Sequence, residues 1–323
     1  MLATSAPRPR TLEDLAGPEL LGRLDRLDIL SRRIFAGKLP GERRSKKRGQ
    51  SVEFDDYRPY VPGDDLRHID WNVFARLDRL FIKLFREEED LALHLVIDGS
   101  ASMDAGDPPK IRLALQLAMA LGYIGLVNQN RLVVTGFGVP GRPGLIRLAP
   151  MRGRPQVRRL AAFLTHEMAP ARTGPGSFGA PSIVESLRSV ALSRTGKGVM
   201  VILSDLLTGE DLAPALNYLA AGAGGGFDTY LLRILSPGER DPALEATRGL
   251  VGDVRLTDVE TGRAAEVTIS PAALRDYRRR LERHEQQLKR AATARRMTYV
   301  PLSSDQPAAD LLTDYLRRRG LLG

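Results

Sequence analysis

The 323-residue chain contains no cysteine. Without a thiol it has no disulfide, no thiol catalysis and no cysteine-ligated zinc or iron–sulfur site. Histidine is also scarce, and the four histidines show no metal-ligand spacing: His68, His94, His166 and His284. The stretch "GRPGLIR" lacks the Lys-Ser/Thr of a phosphate-binding loop. The composition therefore excludes several common catalytic classes and fits a reducing compartment.

Long hydrophobic runs are missing as well. The first residues, "MLATSAPRPRTLEDLAG", contain no apolar core of signal-peptide length. The most apolar stretch, "LALQLAMALGYIGLV", is interrupted and too short to span a bilayer comfortably. We therefore expect a cytoplasmic protein with no membrane span.

Basic residues, in contrast, are in surplus. The chain has 48 Lys and Arg against 39 Asp and Glu, a formal net charge of +9. Such a charge favours acidic partners, whether protein, nucleic acid or anionic lipid. A solvated, arginine-rich surface explains the same surplus, so we predict no specific nucleic-acid binding. The basic helix "DYRRRLERHEQQLKRAATARR" is open to both interpretations, and a solvated face is the simpler one.

The chain divides into three regions. Apolar residues at helical spacing predict an N-terminal helix within residues 12–36, at Leu20, Leu24, Leu27, Leu30 and Ile34. The stretch "GKLPGERRSKKRGQ" predicts an exposed connector. We assign residues 1–49 to this helix and linker, residues 50–90 to a segment packed on the core, and residues 91–323 to an α/β domain. The run "LFIKLF" predicts a strand at an edge of the sheet.

Apolar strand-like runs alternate with helical patterns from about residue 91. The predicted strands are "LALHLVID", "RLVVTGF", "GVMVILSD", "DTYLLRIL" and "MTYVPL". The predicted helices lie around 109–128, 155–167, 182–193, 211–221, 271–295 and 308–319. This alternation predicts an α/β fold, a mostly parallel sheet with helices on both faces. The run "LVGDVRLTDVETGRAAEVTI" predicts an inserted β-hairpin near 250–270.

The stretch "HLVIDGSASM" ends an apolar strand on a carboxylate and continues with two hydroxyls. In an open parallel sheet, ligands bind beyond the carboxyl ends of the strands. In an extended turn, Asp98, Ser100 and Ser102 point the same way, and such hard oxygen ligands suit Mg²⁺ or another divalent cation. A second strand, "VMVILSDLL", ends in Ser204 and Asp205. Helix or turn capping by each Asp is the simpler alternative, but two strands ending in Asp favour a metal site.

"DGSAS" resembles the Asp-x-Ser-x-Ser motif of von Willebrand factor type A (vWA) domains, which forms their metal-ion-dependent adhesion site. The resemblance implies a vWA-like, Rossmann-like fold, with Asp205 in the position of the family's distal Asp. The family also uses a Thr from an intervening loop. The loop "ARTGPGSFGAPSIVESL" has no clean Gly-x-Thr context and offers Thr173, Ser177 and Ser182, of which we choose Ser177.

The segment "RRSKKRGQSVEFDDYRPYVPGDDLRHIDWNVFAR", followed by "LFIKLFREEED", is similar to the signature of the bacterial domain-of-unknown-function 58 (DUF58) family. The similarity extends in outline to the hairpin "VRLTDVETGR" and to the helix with Tyr277 and His284. Genes of this family typically lie beside those of MoxR-type AAA+ ATPases. The resemblance therefore implies a partner or substrate adaptor of such an ATPase.

The signature segment itself mixes carboxylates, arginines and aromatic residues. Asp64, Asp65 and Asp70 are candidate metal ligands of a phosphohydrolase. The interleaved arginines favour a salt-bridged scaffold instead, because they neutralise those carboxylates. Our main hypothesis is a non-enzymatic interaction protein that binds an acidic residue of a MoxR-type ATPase or its client through a divalent cation. A metal-independent module that binds through its basic surface is the first alternative, and a hydrolase is the second.

Overall fold

The computed structural model describes residues 7–31, 53–62, 64, 66, 69–86, 91–170, 182–221, 226–244, 252–257 and 264–323. The strands in chain order are β1 (Glu53–Pro59), β2 (Phe81–Arg86), β3 (Leu91–Asp98), β4 (Arg131–Phe137), β5 (Ile146–Met151), β6 (Lys197–Ser204), β7 (Phe227–Leu235), β8 (Gly252–Thr257), β9 (Ala264–Ile269) and β10 (Thr298–Ser303).

The helices are mostly short, apart from two long ones. They are α1 (Leu12–Leu15), α2 (Pro18–Leu24), α3 (Trp71–Leu77), α4 (Lys110–Val127), α5 (Val157–Ala162), α6 (Ile183–Ser193), α7 (Ala213–Ala221), α8 (Pro237–Arg240), α9 (Pro271–Ala294), α10 (Ala308–Asp310) and α11 (Leu316–Arg318). A 3₁₀ turn covers Ala101–Asp104, and π turns extend α5 and join α10 to α11.

The chain forms two compact units, residues 1–37 with 91–323, and residues 38–90. The larger unit is built on a six-stranded sheet in the order β10-β7-β6-β3-β4-β5. Neighbouring strands are parallel except for β5, which pairs antiparallel with β4. This is a doubly wound order, with the chain running outward from β3 in both directions. The predicted mostly parallel α/β sheet is confirmed.

Alternation along the strands divides the core between the two faces of the sheet. Leu93, Leu95 and Ile97 of β3 pack in the core that includes α4, and Ala92 and Val96 pack in the core that includes α6, α7 and α9. Because successive side chains of a strand point to opposite faces of the sheet, β3 contributes side chains to the cores on both faces. Helix α4 is long and apolar enough to cross a membrane, but 83% of that apolar window is buried inside the protein.

The N-terminal helix is shorter than predicted. Helix α2 starts at Pro18, a residue favoured at the first helical position, and ends at Leu24. The chain then extends, and Ile29 bridges to Leu322 at the other end of the chain. Leu24, Leu27 and Ile29 are buried in the α4-side core. The apolar residues at helical spacing therefore belong partly to helix α2 and partly to the extended segment after it, and both contact the same core. Position 34 lies outside the described residues.

In its described residues, the smaller unit contains two antiparallel strands with helix α3 between them in the chain. Strand β2, predicted at a sheet edge, pairs antiparallel with β1 in a separate two-stranded sheet. Helix α3 starts at Asp70, whose carboxylate accepts from the backbone N–H groups of Asn72 and Val73. In the larger unit, strands β8 and β9 form an antiparallel hairpin in the position predicted for the insertion.

Candidate metal centre

The candidate site lies where the doubly wound sheet changes direction. β3 ends at Asp98, and the neighbouring β6 ends at Ser204, followed by Asp205. These two strands are the pair from which the chain runs in opposite directions, and crevices at such switch points are the usual ligand sites of open α/β sheets. We call the carboxyl ends of β3, β6 and β7, with the turns that follow them, the rim.

Asp98, Ser100 and Ser102 lie close together at the rim. The Asp98 Oδ1 atom accepts from the backbone N–H of Ser100 at 2.9 Å, and the Oγ atoms of Ser100 and Ser102 are 3.1 Å apart. From the next strand, the Ser204 hydroxyl donates to Asp98 Oδ2 at 2.6 Å. Asp98 is buried, and the two serines are half-buried. The carboxylate thus lies beneath hydroxyls that reach the surface.

Gly99 lets this turn pack tightly. A Cβ atom at Gly99 would lie 2.5 Å from Val139 Cγ2 and 3.0 Å from Met168 Cε, inside van der Waals contact. Gly138, with φ +70°, lies against the same turn, and a Cβ there would meet Ser100 at 3.3 Å. Both glycines therefore serve the close approach of the β3 and β4 turns. Arg8 holds the end of the turn through an ion pair with Asp104 at 2.8 Å.

The electrostatics of Asp98 are unfavourable to its charge. Burial, followed by repulsion from Asp205, raises the pKa of Asp98 to about 6, against the opposing effect of the hydrogen bonds from Ser100 and Ser204. A carboxylate in this state is stabilised by any cation that reaches it. Perturbed acids of this kind are concentrated at functional sites, and here the perturbed carboxyl lies beside the hydroxyls of Ser100, Ser102 and Ser204.

Lys110 supplies a positive charge beside Asp205. It is fully buried at the start of α4, and its Nζ donates to Asp205 Oδ2 at 2.8 Å and to Glu239 of α8. Burial lowers the pKa of Lys110, but the two carboxylates outweigh burial and the pKa is raised overall. The sequence pattern did not indicate Lys110 or Glu239 as site residues. Lys110 lies 95 residues from Asp205 in the chain, and Glu239 lies 129 residues from Lys110.

The turn after β6 is strained and held from several directions. Leu206 has φ 51°, a left-handed conformation that is costly for a non-glycine residue. Its carbonyl is 3.0 Å from His284 Nε2 of α9, and the buried Arg233 donates from Nε to the Asp205 carbonyl at 3.1 Å. Tyr277 of α9 donates to the Glu239 carbonyl at 2.6 Å. Strain that is maintained by surrounding contacts is typical of functional sites.

The donors at the rim fit a hard cation of the Mg²⁺ type. Octahedral ligands about 2.0–2.1 Å from Mg²⁺ lie roughly 2.9 Å from one another, close to the 3.1 Å between the two serine hydroxyls. In the described part of the chain, no three Asp, Glu, His or Cys side chains form a metal-ligating group. A cation here would depend on Asp98, Ser100, Ser102 and water, with Asp205 held outside by Lys110.

The remaining candidates have other roles or lie outside the described residues. Ser177 and Thr173 lie outside the described residues, while Ser182 caps α6 by accepting from the backbone N–H of Glu185. Asp64 accepts from Arg58 at 2.6 Å, and Asp70 caps α3. Asp65 lies outside the described residues.

The strand order and the converging oxygen atoms at its switch point define a doubly wound α/β domain with a candidate ligand site at its rim. A family model described as "Protein of unknown function DUF58" matches residues 56–287. This chain belongs to the DUF58 family, as its signature segment predicts. It is 30% identical over 318 residues to Uncharacterized protein Mb1516 of Mycobacterium bovis and, equally, to Uncharacterized protein Rv1480 of Mycobacterium tuberculosis, covering 96% of this chain and 93% of each relative.

Among solved structures, the chain is similar to a von Willebrand factor type A protein from Catenulispora acidiphila, with 14% identity and a TM-score of 0.38 over 74% of this chain and 43% of that one. It is also similar to the pilus adhesin SpaC from Lactobacillus rhamnosus GG in its open conformation, with 14% identity and a TM-score of 0.39 over 73% of this chain and 30% of that one. The chain thus spans less than half the length of either structure.

Proposed function

We propose that this chain is a non-enzymatic interaction protein that binds an acidic side chain of a partner through a divalent cation, Mg²⁺ or a similar ion. Asp98, Ser100 and Ser102 would hold the ion, and Asp205 would add negative charge from outside its direct ligands. The convergence of these three oxygen donors at the switch point of the sheet carries the proposal.

The burial pattern supports a site that faces outward. Asp98 is 3% exposed, whereas Ser100 and Ser102 are half-buried and border solvent. A hard cation with few protein ligands keeps exchangeable water positions, and a carboxylate oxygen from another protein can replace such a water. Ser100 and Ser102 would orient the ion, and the strand ends would exclude water from its inner side.

The partner follows from the family resemblance. We propose a MoxR-type AAA+ ATPase, or a client of that ATPase, with an Asp or Glu on its contact surface. Asp64 and Asp70 of the signature segment support a binding role over a hydrolytic one, because the first is paired with Arg58 and the second caps a helix. Turnover of a phosphate ester that is lost in Asp64→Asn would favour the hydrolase instead.

Asp98→Ala tests the metal-mediated mechanism. We expect it to abolish Mg²⁺ binding in calorimetry and Mg²⁺-dependent capture of the ATPase, with the fold retained by circular dichroism. Asp98→Asn, nearly isosteric, guards against a folding defect. Glu210→Ala is a matched control, because Glu210 is an exposed carboxylate near the same rim. If Asp98→Ala captures the ATPase as well as wild type does, the mechanism is wrong.

The metal-independent alternative makes the opposite pattern of predictions. Binding through the basic surface would be insensitive to a chelator and would weaken with salt, because exposed charges are screened. Chelator sensitivity at constant ionic strength therefore separates the two functions.

A further inference from the structure

Helix α9 has one face that holds it to the domain and an opposite face that is exposed. The holding face contains residues at spacings of three and four, namely Tyr277, Leu281, His284, Leu288 and Ala292. Tyr277 and His284 hydrogen-bond to rim carbonyls, and Leu288 and Ala292 are buried. These spacings are those of a single helix face, so the register of α9 is set by contacts on one side.

Four arginines form a row on the opposite face. Arg275, Arg279, Arg283 and Arg290 are all exposed, and at 3.6 residues per turn they fall within roughly 80° of arc. The row is about 22 Å long at a rise of 1.5 Å per residue. We call it the arginine row. Within the described residues, its one ion pair joins Arg279 to Asp276, an exposed neighbour on the same helix.

The row lies in one of the strongly basic stretches of the chain. Residues 271–296 carry nine Lys and Arg against three Asp and Glu, a net charge of +6, whereas the whole chain carries +9. Like charges four residues apart destabilise a helix, and Arg275, Arg279 and Arg283 form two such pairs. The helix bears this repulsion in the free protein, and a partner of opposite charge would relieve it.

We propose that the arginine row is a docking surface for a carboxylate-rich protein segment. Guanidinium groups bind carboxylates through two parallel hydrogen bonds, so a row of arginines suits a segment with acidic side chains on one face. The row lacks the interleaved aromatic residues on which single-stranded bases stack. It also lacks the large apolar residues that anchor a helix in a membrane surface.

Charge reversal of the row, Arg279→Glu with Arg283→Glu, tests the proposal. The matched control is Arg158→Glu with Arg159→Glu on α5, which reverses two exposed arginines and changes net charge equally. The probes are poly-L-glutamate, a DNA duplex of random sequence and vesicles that contain phosphatidylserine, each followed by fluorescence anisotropy or sedimentation. Chelator is present throughout, so the result does not depend on the rim.

We expect poly-L-glutamate to bind wild type and to lose about tenfold in affinity with the row reversed, while the α5 pair changes it little. The reversed row should gain affinity for poly-L-lysine. Equal loss in both variants would overturn the proposal, because net charge alone would then explain binding. Absence of poly-L-glutamate binding to wild type would also overturn it. Row-dependent binding of DNA or vesicles, with poly-L-glutamate unaffected, would assign the face to a different partner.

Discussion

Asp98→Asn should stabilise the metal-free protein while removing its response to metal. Asp98 is buried, and its pKa is raised to about 6 from a usual value of 3.8. Asparagine keeps the shape and the acceptor for the Ser100 N–H but removes the charge. The charged form of Asp98 that metal binding would use should therefore lower the stability of the metal-free protein.

The magnitude follows from the pKa. A folded-state pKa above the unfolded value means that the folded protein holds this proton more tightly, so stability falls as pH rises from about 4 through 6. A shift from 3.8 to about 6 corresponds to roughly 3 kcal/mol at pH 8, at 1.36 kcal/mol per pKa unit. The asparagine amide forms a weaker hydrogen bond with Ser204, which reduces this gain in the free energy of unfolding by about 1 kcal/mol. We expect a net gain of about 2 kcal/mol.

Urea unfolding in chelator measures this gain. The Asp98→Asn variant should be more stable than wild type by about 2 kcal/mol at pH 8. This advantage should be lost as the pH falls through 6, and below about pH 4, where both side chains are neutral, only the weaker hydrogen bond to Ser204 should remain, a loss of about 1 kcal/mol. Asp310→Asn, at an exposed carboxylate, should show no such dependence. Added Mg²⁺ should stabilise wild type and leave the variant unchanged. A variant no more stable than wild type at pH 8, or a pH-independent difference, would refute the reasoning.

Two further substitutions test the construction of the rim. Lys110→Met should destabilise the protein by about 3–5 kcal/mol in urea unfolding, because it leaves the Asp205 and Glu239 carboxylates near each other without their shared cation. Adding Asp205→Asn and Glu239→Gln should restore much of the loss, and a single variant as stable as wild type would contradict the role of Lys110. Gly99→Ala places a Cβ 2.5 Å from its nearest neighbour and should cost about 1–3 kcal/mol. Gly209→Ala, with nothing within 4 Å, is its control and should be nearly neutral.

Strands with strong apolar patterns were predictable from the residues alone. The five predicted core strands match β3, β4, β6, β7 and β10 to within a residue or two at their ends. Strand β5 was missed, because only one side of this edge strand is buried and "IRLAPM" shows a weak, broken alternation. An edge strand contributes fewer buried side chains, so its sequence is less constrained.

The N-terminal region shows why periodicity alone misled. Leu24 and Leu27 have helical spacing, yet only the first is in a helix. Both are buried because the extended chain after α2 packs beside α4 and pairs with the C-terminus. Apolar residues at helical spacing indicate that one side of a segment is buried. They do not distinguish a helix from an extended segment that is held by contacts with distant residues.

The sequence alone determined that Asp98 and Asp205 lie at the carboxyl ends of two strands and that Ser100 and Ser102 follow the first strand, because strand patterns and turn residues are local properties. Only the tertiary structure decided that β3 and β6 are neighbours, that Ser204 donates to Asp98, and that Lys110 neutralises Asp205. Those contacts join residues about a hundred positions apart, and no local spacing encodes them. The outward direction of the arginine row was likewise settled by where α9 packs.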